Sequence, residues 1–167
     1  MAARVRPEAL ATTQDFAAWC EAQARALRDH RWEALDIEEL ADELDALSRR
    51  ERRRLESNLS VVLTHLLKDV FQPEKRSNSR TASIAEHARR VERALDEMPS
   101  LRSYWQEILV EAYDGARFKA AIETDLPLDA FPPELSDELE TLLQAALAEA
   151  RTARTTARAR RHDVHEK

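Results

Sequence analysis

The sequence predicts an all-α protein, a single-domain bundle of five to six helices with no sheet. Three observations carry that prediction. The 167 residues include 28 alanines and 21 leucines against 20 valines, isoleucines and threonines together, so helix formers far outnumber strand formers. Apolar residues recur every three or four positions and show no sustained alternation. Breakers are sparse: one glycine, Gly115, and six prolines that fall outside the periodic stretches. The lone glycine also excludes P-loops, dinucleotide-binding fingerprints and nucleophile elbows, which need glycines at fixed spacing.

Residues 1–12 read as a disordered or extended N-terminus, 13–150 as the bundle, and 151–167 as an arginine-rich, partly helical extension. A first helix opens near Thr13 to Asp15 and carries Phe16, Trp19, Cys20, Gln23 and Leu27 at helical spacing. Asp36 and Glu39 form a start resembling a capping box for a second helix, whose face is Ile37, Leu40, Ala41, Leu44 and Leu47. A second box, Ser48 with Glu51, is read as a restart at a bend. The third helix, roughly Arg49 to Phe71, bears one stripe of Leu55, Leu59, Val62, Leu66 and Val70, widened by Leu63, Leu67 and Phe71. Pro73 ends it, and a loop through Asn78 leads to a fourth helix with the seam Ile84, Ala88, Val91, Leu95 and Met98. After Pro99 and Ser100 a fifth helix presents Leu101, Trp105, Ile108, Ala112 and Ala116, with Tyr104 and Tyr113 on its margins. Gly115 lies inside this helix at a cost of about 1 kcal/mol against alanine, which points to a close helix approach. Pro127, Pro132 and Pro133 forbid helix from Asp125 onward, and Leu126, Leu128 and Phe131 make this an apolar loop that packs back. The last helix runs from about Leu135 through Leu139, Leu142, Leu143, Ala146, Leu147 and Ala150. Its extension to Arg161 is helical by propensity, with nothing to anchor it.

Charge and cysteine usage bound the setting. The net charge is −6; residues 151–167 hold six basic and two acidic side chains, or +4, which leaves −10 on residues 1–150. An acidic body repels phosphate, so nucleic acid is expected only through Arg151, Arg154, Arg158, Arg160 and Arg161. Cys20 is alone and can form no internal disulfide, which fits a reducing compartment. The first ten residues lack an apolar signal core and no stretch is apolar enough to span a membrane, so the expectation is a cytoplasmic protein without membrane contact.

The candidate chemistry is thin. His65 borders the third helix's stripe with Asp69 four residues on, able to orient the imidazole, yet one His and one Asp are half a metal site. Glu39, Glu43, Glu107 and Glu111 resemble a carboxylate array, but di-iron bundles also need Glu-x-x-His motifs, which are absent. No metal and no cofactor is expected. Arg49, Arg50, Arg52, Arg53 and Arg54 follow Glu38, Glu39, Asp42, Glu43 and Asp45 closely and read as intramolecular ion pairs at the bend. Ser77, Ser79 and Ser83 have no spacing that ties them to His65 or His87 as a triad, and Cys20 reads as a small buried hydrophobe.

Leu63-Thr-His-Leu-Leu-Lys68 and Gln72-Pro-Glu-Lys-Arg-Ser-Asn-Ser79, with Asp15-Phe16-Ala-Ala-Trp19, Leu40-Ala-Asp-Glu43, Ala112-Tyr113, Ala116-Arg117 and Glu123-Thr124 before Leu126-Pro127, carry a family resemblance. In order and spacing, from about Asp15 to Phe131, the chain resembles the bacterial domain-of-unknown-function family twenty-nine. The resemblance implies an all-helical fold and brings no activity, cofactor or partner. The chain departs from the family's pattern at Asp69 and Arg80, where tryptophan is usual, at Asp125, where glycine is usual, and in its ending after Phe131.

Seven polar residues on these motifs are poor core fillers: Glu43, His65, Lys68, Gln72, Arg76, Tyr113 and Arg117. They are expected to converge into one cluster, either a network that locks the Gln72–Ser79 loop or an anion-binding or acid–base pocket. The leading functional expectation is a non-catalytic interaction or regulatory protein with an unidentified protein partner. The alternatives are a small enzyme or ligand binder around His65, Arg76 and Tyr113, and a nucleic-acid-associated protein acting through the arginine tail.

Overall fold

The computed structural model describes residues 15–165, with side chains through Thr156; the segment 1–12 expected to be extended lies outside the described residues. Among the described residues there are five α-helices and no strand: α1 (Phe16–Arg28), α2 (Ile37–Phe71), α3 (Asn78–Glu97), α4 (Trp105–Thr124) and α5 (Asp137–His165). Short 3-10 turns at Trp32–Ala34, Pro73–Lys75, Pro99–Tyr104 and Leu128–Ala130 join them. The chain packs as two compact units, residues 1–49 and 50–167.

In the first unit, Asp15 caps α1 by accepting the Ala18 N–H at 3.0 Å, satisfying one of the helix's orphan donors. The helix closes without glycine. His30 takes a left-handed φ of 56°, and the Arg31 N–H returns to the Ala26 carbonyl at 2.9 Å, the bonding of a Schellman cap. Trp19, Gln23 and Ala26 are buried along α1. Gln23 Oε1 accepts the Asp36 N–H at 2.9 Å, and Asp36 Oδ1 accepts the Glu39 N–H at 3.4 Å, so the start of α2 is tied to α1 and capped in turn. Cys20, expected inside, is half-buried. Phe16, Leu27, Ile37, Leu44 and Leu47, all read as core-facing, are exposed, and Trp32 joins them.

The expected restart at Ser48 does not occur: the helix is unbroken there. α2 runs for 35 residues, about 52 Å. No glycine or proline lies between Ile37 and Phe71, and residues 49–54 are strong helix formers, so the hydrogen-bond ladder continues and the Ser48–Glu51 box has no free N–H to cap. The arginine run accordingly forms no bend network. Arg54 reaches Glu51 at 3.7 Å, and the Arg52 guanidinium lies 4.5 Å from the centre of the Tyr104 ring.

In the second unit Leu55, Leu59, Val62, Leu63, Leu66 and Leu67 are buried together with the seams of the following helices and with Phe131. Residue pairing gives the topology. Asn58 meets His87 and Asp69 meets Arg80, so α3 runs antiparallel to α2. Ser60 meets Gly115 and Lys68 meets Glu123, both 55 residues apart, so α4 runs parallel to this part of α2. Glu92 meets Arg151 and Asp96 meets Arg154, so α5 runs parallel to α3. The result is an up-down-up-down bundle. Gly115 allows the α2–α4 approach only loosely, because a Cβ there would stand 3.5 Å from Ser60 Oγ, an ordinary contact.

Candidate functional site

The end of α2 gathers four of the seven nominated residues. Pro73 stops the helix, the 3-10 turn over Pro73–Lys75 carries Arg76 back, and Ser77 caps α3 by accepting the Arg80 N–H at 3.3 Å. Asp69, one turn from the helix end, thereby faces the first turn of α3. Its Oδ1 accepts from Arg80 at 2.8 Å and its Oδ2 lies 3.3 Å from Arg76 Nε. The Asp69 and Arg80 side chains are only 9% and 8% exposed, whereas Arg76 is largely in solvent. Asp69 and Arg80 thus form one buried ion pair. Asp69 does not orient His65: the imidazole Nδ1 has no hydrogen-bond partner, and the hydrogen bond that Asp69 makes here is to Arg80.

On the α4 side of the same end, Lys68 Nζ donates to Glu123 Oε2 at 2.5 Å, which holds the Glu123 carboxyl below its ordinary range. Gln72 Nε2 donates to the Thr124 carbonyl at 2.9 Å. That carbonyl belongs to the last turn of a helix and is buried, so Gln72 supplies a partner that the helix cannot. Beyond it Asp125 closes α4 in the left-handed region, φ 58°, the conformation that glycine favours and the reason glycine suits this position. His65 stands beside this network. Its Nδ1 is shielded and has no hydrogen-bond partner, and burial first, then the Lys68 charge, pushes its pKa below the ordinary imidazole value.

The other three nominated residues lie elsewhere. Tyr113 donates its hydroxyl to the Pro132 carbonyl at 3.0 Å, and Arg117 reaches the Phe131 and Pro133 carbonyls at 3.3 and 3.4 Å. These two side chains strap the proline segment to α4 so that Phe131 enters the core, its ring 4.8 Å from that of Phe71. Burial raises the Tyr113 phenol. Glu43 belongs to the first unit, about six helical turns before His65 on α2. The seven residues therefore form a helix-end network and a loop strap, with Glu43 in neither.

Two polar clusters went unread in the sequence. Glu92, 1% exposed, takes both Arg151 nitrogens at 2.9 and 2.8 Å, and Arg154 reaches the Glu92 carbonyl at 3.3 Å and Asp96 at 2.8 Å. This clamp anchors the first arginines of the tail, contrary to expectation; the side chains of Arg158, Arg160 and Arg161 lie outside the described residues. A signal existed: Glu92 sits between Ala88 and Leu95 beside the α3 seam, and Arg80 lies on the seam itself, four residues before Ile84. His87, likewise set aside, lies 2.9 Å through Nδ1 from Asn58 Oδ1.

Of the four carboxylates weighed as a metal array, Glu39 and Glu43 belong to the first unit, while Glu111 lies close enough to Glu56 to help burial raise the Glu56 carboxyl. Among the described residues no three His, Cys, Asp or Glu side chains are grouped to hold a metal ion. No described helix is long and apolar enough to cross a membrane.

Among known families, the model described as "Domain of unknown function DUF29" matches residues 13–147. Neither a curated protein nor a solved structure matches.

Proposed function

Because the chain belongs to the DUF29 family, whose description assigns no activity, we propose from its surface that it is a non-catalytic helical interaction protein of the bacterial cytoplasm. The observation that carries this reading is an imbalance between the units. The first has 35 described residues and buries only Trp19, Ala26 and the amide Gln23, yet it exposes Phe16, Leu27, Trp32, Ile37, Leu44 and Leu47. Those six are half of the large apolar side chains exposed anywhere in the described structure. So small a unit gains little from its own core, and a partner covering this surface supplies what is missing. The nominated polar residues support the same reading, since Lys68, Gln72, Tyr113 and Arg117 hydrogen-bond within the protein and Arg76 pairs with the Asp69 charge. The lone Cys20 fits a reducing cytoplasm. A photo-cross-linking residue at Leu44, introduced in living cells, tests it. A discrete adduct is expected at that position and none at exposed Thr141 of α5; no adduct at Leu44 refutes the reading.

One observation favours a second reading, a ligand binder at the α2 end: the unpartnered Nδ1 of His65, near Lys68 and Arg80. Titrating the His65 ring by nitrogen NMR with phosphate and with acetate tests this, and unmoved resonances dismiss it.

A further inference from the structure

We propose that the partner of this surface is a second copy of the chain, joined by antiparallel pairing of two α2 helices about a twofold axis. The inference rests on the interaction reading above and names its occupant. Ile37, Leu40, Leu44 and Leu47 recur at alternating spacings of three and four, as an interhelical seam requires. Ile37, Leu44 and Leu47 are 68%, 65% and 51% exposed. The helix is unbroken through Ser48, and Glu51 and Arg54 follow the same spacing in the sequence.

Charge order then selects the partner and its direction. The stretch 38–45 carries Glu38, Glu39, Asp42, Glu43 and Asp45, and the stretch 49–54 carries Arg49, Arg50, Arg52, Arg53 and Arg54 around Glu51. A helix that is acidic in one half and basic in the next is complementary to its own reverse. Placing Leu44 against the partner's Leu47 places Leu47 against the partner's Leu44 by symmetry. The same register sets Glu43, on the flank of the seam, across from the partner's Arg50, and does so twice. The opposite flank holds Ala41 and Ser48, small enough for close approach. A parallel pairing would instead set Glu43 and Arg50 beside the partner's opposite flank, which holds Ala41 and Ser48, and would leave both charges without a partner. Along this stretch the chain's own ion pair is Glu51–Arg54, a long 3.7 Å contact, and Arg50 is exposed.

The test uses the full chain in a Cys20→Ser background. Sedimentation should show a dimer that Leu44→Asp converts to monomer with its helicity intact. Glu43→Arg and Arg50→Glu should each weaken association roughly fivefold, since each disturbs two symmetric pairs, and the two changes together should restore it to within about twofold. Chains carrying Leu44→Cys mixed with chains carrying Leu47→Cys should oxidise to a mixed dimer, with little product from either alone. A chain that stays monomeric at about 100 μM, a combined charge swap no better than the single changes, or a dominant 44–44 cross-link overturns the proposal. The mass of the adduct at position 44 separates the two claims. Twice the chain mass supports self-association, a different discrete mass removes it and keeps the interaction reading, and no adduct removes both.

Discussion

The buried pair of Asp69 and Arg80 makes the strongest energetic prediction. Its side chains are 9% and 8% exposed and meet at 2.8 Å, so neither partner can recover its hydration if the other is removed. Replacing Asp69 with leucine, or Arg80 with methionine, leaves one uncompensated charge between α2 and α3 and should cost about 3–5 kcal/mol. For a bundle of this size that lowers Tm by roughly 10–20 °C. Arg76 offers little rescue, because it sits mostly in solvent where an ion pair is worth at most about 1 kcal/mol. The double variant, Asp69→Leu with Arg80→Met, removes both charges and restores apolar contact in an apolar seam. It should return to within about 1 kcal/mol of the parent or exceed it, as buried pairs replaced by packed side chains often do. Urea unfolding followed by far-ultraviolet circular dichroism at neutral pH gives the four free energies of the cycle. Two single losses that simply add in the double variant, or single losses below about 0.5 kcal/mol, would refute the reasoning.

Three further outcomes follow from the same geometry. Asp125→Gly should stabilise the chain by about 0.5 kcal/mol, read as a shifted denaturation midpoint, because the left-handed φ of 58° disfavours a side chain. A β-branched residue there should do the opposite. Gly115→Ala should also stabilise, by about 1 kcal/mol, since the new Cβ meets only Ser60 Oγ at 3.5 Å and the helix gains propensity; a loss in the melting curve would mean the α2–α4 contact is tighter. The pH dependence has a definite sign. The folded pKa of His65 is depressed, mainly by burial, so its contribution is present above the unfolded value near 6.5 and is lost as pH falls through the folded value. Unfolding free energy should therefore decline from pH 7 towards pH 5, and His65→Ala should flatten part of that decline; an unchanged slope counts against it.

Much of the fold is local and was legible as such. Asp15 and Ser77 start helices because their side chains meet orphan N–H groups a few residues on, and Pro73 and Pro127 interrupt them because proline lacks that N–H. Phe131 was legible as an apolar residue in a loop and is buried. Less of the site was legible. Tyr113 and Arg117 stood out as polar groups on a core helix, but their acceptors are backbone carbonyls, which carry no sequence signal. The Ser48–Glu51 box misled because a capping sequence acts only where the ladder is already broken.

Local periodicity, capping and breaker residues thus determined the helices, their approximate ends and their apolar faces. Tertiary structure alone decided what each face meets. Leu44 and Leu55 share the same helix periodicity, yet one is exposed and the other buried. Glu92 finds Arg151, 59 residues away, only because α3 and α5 run side by side. A helical period states that a face exists, and the register between helices, which no short stretch of sequence contains, chooses its partner.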